Sequence, residues 1–425
     1  SPAVVSRASE AVVAAVALAV VAGAPVVNPL PQATAPDSPA PVVAQQREAG
    51  GAGAIVALPS AQQSAGATGP ATAAKAGAGT AAAAPVGNLV IAGAPDDVNV
   101  TQFTTPPPGS ASHELYATGS PTQGCKAAPC AVLFHSPDGG ATWEHLKASG
   151  FSGGTVLLAP NFPTDRRVFV TGPNGLQVSS DNGATFTTLV PLGGPTAISP
   201  AFPIDHRILI GAVPGWEYRD DTKTTTPLHL TNRPPGQTLS FAFSPAYAKD
   251  GELFIGSSAP DPNNPTQQDP TVTTCAFGTC ANPALLPDAD RFPTVQPSRS
   301  FATNGIVYAW AGPRLYRSAN GGGVFKPVAL PAKADVRAIA EDPDGSLYVS
   351  LLSTDAKGVS TGGVFVSRDG GHTWTQVGKD TGLAKGATSI ASLGHDRLLA
   401  APASSGLVCS ADAGKTWAKR CPATP

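Results

Sequence analysis

The 425-residue chain carries 13% charged residues and a formal net charge of −2, with 46 Gly and 44 Pro. That is about half the usual charged share, and so even a balance gives no electrostatic ground for nucleic acid or an anionic membrane surface as partner. Many turn formers and few charges suit an all-β protein with tight loops and argue against a helical bundle. The length leaves room for two or three average domains, or for one large repeat domain. No methionine occurs in the chain, so the expectation is that something upstream of Ser1 was removed or left out.

Residues 11–24 (AVVAAVALAVVAGA) form an uninterrupted run of small apolar residues between Glu10 and Pro25. As a helix it would be about 21 Å long, short of the roughly 30 Å hydrocarbon core; counting on to Val27 makes it borderline. Three readings stand open for the apolar N-terminal helix at 1–27. One is a signal segment ending in Ala22-Gly23-Ala24. The second is a membrane anchor, with contact through residues 11–27. The third is an assembly helix that loosely resembles those of pilin-like subunits, with the acidic residue at Glu10. Residues 28–87 are an Ala/Pro/Gly-rich linker, extended or disordered, unable to bury enough apolar surface to offset its ordering entropy. The partners this arm implies are other copies of the chain or surface proteins.

From about residue 88 short β-branched and aromatic runs alternate with Gly/Pro/Asn/Asp turns. One motif recurs around Asp138-Gly-Gly140-Ala-Thr-Trp143, Asp181-Asn-Gly183-Ala-Thr-Phe186, Asp369-Gly-Gly371-His-Thr-Trp374 and Asp412-Ala-Gly414-Lys-Thr-Trp417, each preceded two residues earlier by Ser. A degraded copy is Ser318-Ala-Asn320-Gly-Gly322-Gly-Val324-Phe325. The pattern resembles the Asp-box of the BNR-repeat, sialidase-like propellers. Its residues suit a structural turn: the Asp accepts backbone N–H groups, the Gly supplies positive φ, and the aromatic ring is expected to bury against the next sheet. The role is structural, neither catalytic nor metal-binding.

Asp138 to Asp181 is 43 residues, Asn320 to Asp369 is 49 and Asp369 to Asp412 is 43, while Asp181 to Asn320 spans 139, three such periods. That predicts an all-β, seven-bladed β-propeller over 88–421, two of whose blades lack a box. A second repeat, Phe162-Pro-Thr-Asp165-Arg166-Arg167 echoed by Phe202-Pro-Ile-Asp205-His-Arg207, marks the first hairpin of each blade. It places Arg166, Arg167, Arg207 and Arg397 on one rim, as solvated strand starts or as a polar ring for a partner.

Six cysteines fall in local pairs, Cys125/Cys130, Cys275/Cys280 and Cys409/Cys421. No His completes a metal set around them, so they read as disulfides and point to an oxidising compartment. Residues 120–130 and 259–290 read as Cys-clipped insertions into blades 1 and 4, and Cys409/Cys421 as a clasp on the C-terminal edge. Asn99-Val-Thr101 fits a glycosylation sequon.

Sialidases of the resembled family use an arginine triad, a Tyr/Glu pair and an [FY]-R-I-P motif; that motif is missing, and Arg291-Phe-Pro is not it. Glu217 and Tyr218 are adjacent and alternate sides of a strand. No catalytic residue, metal site or cofactor is assigned, and the balance points away from an enzyme. The expectation is an exported, extracellular or cell-surface structural or adhesive module, with a filament subunit as its boldest form. The alternatives are a glycoside hydrolase or glycan-binding lectin, and a scaffold like the photosystem assembly factors that also use Asp-box propellers.

Overall fold

The computed structural model describes residues 89–422 apart from 93–94, 108–109, 111, 124–129, 212–214, 233–236, 261–267, 290 and 405. The helix expected over 1–27, the linker over 28–87 and Cys125 lie outside the described residues. Among those described, no helix is long and apolar enough to cross a membrane.

Short antiparallel strands form seven separate sheets that follow one another along the chain: 89–146, 155–190, 196–227, 237–285, 294–328, 336–377 and 387–410. These are blades 1 to 7. From Val98 onward each blade adds its main strands in sequence order, and at most junctions the first strands of the neighbouring blades touch. The first strands therefore line the axis, with later strands outside them.

Burial joins the sheets. Val156, Val168 and Val170 of blade 2 pack on Tyr116, Leu133 and Leu146 of blade 1, and a similar apolar cluster fills each following junction. At the last, Leu399, Ala401 and Leu407 of blade 7 pack on Val98, Val100 and Phe103 of blade 1. Seven sheets sharing seven clusters make a closed ring, a seven-bladed β-propeller.

Among the described residues no strand is exchanged to close it. Leu89–Ala92 pairs with the outer strand Glu144–Leu146 of its own blade, and blade 7 has three strands extended by a bridge from Cys409 to Ala418. Closure rests on packing, on the Thr388 hydroxyl donating to Val100 O (2.7 Å) and on Gly406 N–H donating to Val98 O (2.9 Å). The Cys409–Cys421 disulfide adds a clasp, since Cys421 N–H donates to Gly140 O of blade 1 at 3.2 Å.

The expectation that 259–290 are an insert clipped by cysteines is corrected. Glu252–Pro260 and Gln268–Ala276 are long paired strands of blade 4, and the Cys275–Cys280 disulfide clips the hairpin between third and fourth strands. The flanking prolines masked the β-branched run Thr271-Val-Thr-Thr274 that makes the strand.

If the clasp secures closure, replacing both Cys409 and Cys421 by Ser lowers unfolding stability by about 3 kcal/mol, the scale for a loop of this length. Urea unfolding of the two proteins checks this; equal midpoints would show that the ring closes without the clasp.

Candidate functional site

One face of the ring is built by the turns between third and fourth strands. In blade 1 the Ser136 hydroxyl donates to Asp138 Oδ1 (3.0 Å) and accepts from Gly140 N–H (2.8 Å). Asp138 also accepts from Thr142 N–H and hydroxyl, at 2.8 and 2.7 Å. The same set recurs around Asp181, Asp369 and Asp412. In blade 5 Asn320 Oδ1 takes the Ser318 hydroxyl and Val324 N–H, and Val324 has no hydroxyl to add.

Each of these turns leans on the preceding blade, not the next sheet as the sequence suggested. Trp143 joins the cluster shared with blade 7, Phe186 that with blade 1, and Phe325 that with blade 4. Trp374 packs toward blade 5 and Trp417 toward blade 6. The glycine makes the approach possible. Its φ is +93° at Gly140 and +98° at Gly371, and an added Cβ would stand 2.5 Å from Cys421 Sγ or 2.7 Å from Val328 Cγ1. An added Cβ would also crowd Leu146 at Gly183 and Thr274 at Gly322, while at Gly414 it would reach only ordinary contact with Val377.

The two blades without the motif reach back differently. In blade 3 Asp220 pairs with Arg167 of blade 2 at 2.6 Å. In blade 4 the disulfide hairpin exchanges backbone hydrogen bonds with Thr231. Cys130 is disulfide-bonded, and Asn99 is exposed on the innermost strand of blade 1.

The rim arginines are half-buried junction links, not solvated strand starts. Arg166 donates to Glu114 of blade 1 (2.9 Å) and to Asn182 (2.7 Å). Arg207 grips Glu217 with two bonds and donates to the Tyr247 hydroxyl of blade 4. Arg397 donates to Gly139 O of blade 1. Glu217 is thus an arginine partner, while Tyr218 faces the other way into the blade 2–3 core. The partners Glu114, Asp220 and Tyr247 were missed, although the repeated D-x-R of the hairpin motif carried the signal in Asp165 and Asp205.

On this face a cavity of about 540 Å³ opens among blades 5, 6, 7 and 1, lined by Arg299, Arg397, His113, His395, Glu341 and Ser392 among others. Its carboxylate is engaged: Glu341 accepts from the Ser298 hydroxyl (3.0 Å) and Arg299 N–H (2.8 Å). The Arg299 guanidinium makes one hydrogen bond, to Ser392 Oγ at 3.4 Å, and Ser392 in turn donates to Asp342. Oxygens of Asp342, Asp344 and Asp396 lie within 4.8 Å of one another, but Asp344 is already held by Ser346 N–H and hydroxyl. Elsewhere Glu252 is pushed above the ordinary carboxylate range by burial and Asp250; one of its oxygens is buried without a hydrogen-bond partner. It does not line this cavity.

The turn acids are held low. For Asp412 the Thr416 hydroxyl is the largest cause, and the value falls to about 2; Thr373 does the same for Asp369. At Asp138 and Asp181 burial pushes up, and the hydrogen bonds of Thr142 and Thr185 outweigh it. These acids bind protons more weakly folded than unfolded. Their stabilisation is complete above the ordinary value of 3.8 and is withdrawn as pH falls through about 2. Urea midpoints should therefore hold steady down to about pH 5 and drop below about pH 4, with a shallower drop in Asp412→Asn. A midpoint flat to about pH 2.5 would contradict the assignment.

No protein-family model and no curated protein matches the sequence. Solved structures do. YCF48 from Cyanidioschyzon merolae superposes with a TM-score of 0.50 at 14% identity, over 76% of this chain and 98% of that one. The extracellular domain of a one-component system from B. thetaiotaomicron gives 0.50 at 12%, over 75% of this chain and 40% of that one. At these identities the likeness is one of fold.

Proposed function

We propose that the chain is an Asp-box propeller of BNR type that acts as a non-enzymatic binding scaffold in an oxidising, extracytoplasmic setting. It grips a net-anionic polypeptide segment at the mouth of its channel. The carrying observation is the cavity itself: Arg299 and Arg397 line it, and its one carboxylate, Glu341, is engaged by Ser298 and Arg299. Cations lining an opening whose own carboxylate is already engaged favour an anionic ligand. The disulfides support the compartment. The displayed, adhesive or filament-forming role expected from residues 1–87 depends on segments outside the described residues and draws nothing from the propeller.

A sialidase-like hydrolase is the second reading, for which Glu252 offers a raised carboxyl, though one that lines neither cavity. A fluorescent Glu/Asp-rich peptide titrated into the full chain separates the two. Binding weakened about tenfold or more in Arg299→Gln and Arg397→Gln, the effect of losing a charged hydrogen bond, supports the scaffold. Release of sugar from glycans, lost in Glu252→Gln, would replace it with the hydrolase.

A further inference from the structure

A second cavity, a groove of about 600 Å³, lies between the third-to-fourth-strand turns of blades 5 and 6. Arg317, Lys326 and His372 line it, beside Val324, Pro327 and Val328. Within the motif-bearing blades one register row can be compared directly. It holds Tyr116, His135 and Glu144 in blade 1, and Phe169, Val178 and Thr187 in blade 2. In blade 6 it holds Tyr348, Val366 and Thr375, and in blade 7 Leu399, Cys409 and Ala418. In blade 5 it is Tyr308, Arg317 and Lys326.

Blade 5 therefore sets two cations directly opposite each other on adjacent strands, an arrangement that destabilises a sheet unless something negative lies between them. Blade 1 answers its row with Glu144; blade 5 has no such acid in its row. Among the described residues neither Arg317 nor Lys326 forms an ion pair, and Arg317 Nε is buried without a hydrogen-bond partner. Tyr308 meets the guanidinium through its hydroxyl, which is neutral and leaves the charge uncompensated.

The degraded motif falls into place here. Asn320 lines the same groove, where the other four copies carry Asp; an acid there would supply the missing negative charge. Across the groove Asp369 is held by the Ser367 and Thr373 hydroxyls and by the N–H groups of His372 and Thr373.

We infer that this groove is an oxyanion site that takes a sulfate or phosphate ester borne on a sugar-sized group. The Arg317 fork fits two oxygens of such an anion, and Lys326 and His372 stand beside it in the groove to meet the further oxygens that a tetrahedral group has and a carboxylate lacks. The volume exceeds that of the bare ion, and Val324, 57% exposed, with Pro327 offers an apolar flank to a carrier.

The test is calorimetric titration of the full chain with inorganic sulfate, inorganic phosphate, glucose 6-sulfate and glucose 6-phosphate, with acetate as control. Saturable binding of the esters, tighter than of the inorganic ions and absent for acetate, is expected. Arg317→Gln and Asn320→Asp should each weaken it at least tenfold. Asn320→Asp restores the acid of the other turns, so its melting temperature should not fall, which separates lost binding from lost fold. The sulfate and phosphate arms identify the ester. Equal affinity in the wild-type chain and both variants, or no binding by the wild-type chain, would overturn the site without touching the channel-mouth reading, which rests on Arg299 and Arg397.

Discussion

The backward lean of each turn onto the blade before it governs the ring. A sheet of three to five strands has two faces to cover, and here one of them is sealed by a neighbour's turn. The seal needs a glycine without Cβ, as at Gly140 against Cys421, and an aromatic ring such as Trp143 inserted behind it. The Ser–Asp–Thr hydrogen bonds fix the turn so that both groups arrive together. Where the motif is missing the lean survives by other chemistry, an ion pair through Asp220 in blade 3 and a disulfide-pinned hairpin in blade 4. The requirement belongs to the junction, and the motif is one way to meet it.

The sequence made the blade count readable because the turns repeat and their spacing is nearly constant, so seven sheets follow from arithmetic on Asp and Asn positions. Direction was harder to read. Nothing in Trp374 tells whether it packs on the sheet before or after its own; that is decided by the stagger of whole blades. The cysteine pair of blade 4 was misplaced for a related reason. Prolines at 262, 265 and 270 signal loops locally, while pairing with Glu252–Pro260 decides that Gln268–Ala276 is strand.

Charge shows the same limit. Arginines at a repeated position look like solvated strand starts until their partners are known, and those partners lie on another blade, as Glu114 does for Arg166. The site residues Arg299, Arg397 and His113 are far apart in the chain and carry no motif; the ring brings them to one opening. By contrast Asn320 was visible from the start as a departure from pattern, and its meaning came from the register that sets Arg317 opposite Lys326.

Closure without strand exchange has a consequence for how the ring can be reordered. Every blade here is assembled from one continuous stretch of chain, and even the extra strand Leu89–Ala92 returns to its own sheet. Among the described residues no blade is shared between the two ends, so the ring they form has no privileged starting blade. A circular permutation opened between blades would leave all seven sheets whole and ask only for a linker across the old seam. One opened inside a turn would cut a sheet and unseal the junction behind it, leaving the junction ahead intact. The architecture is a cycle of self-contained units with a single sense of dependence.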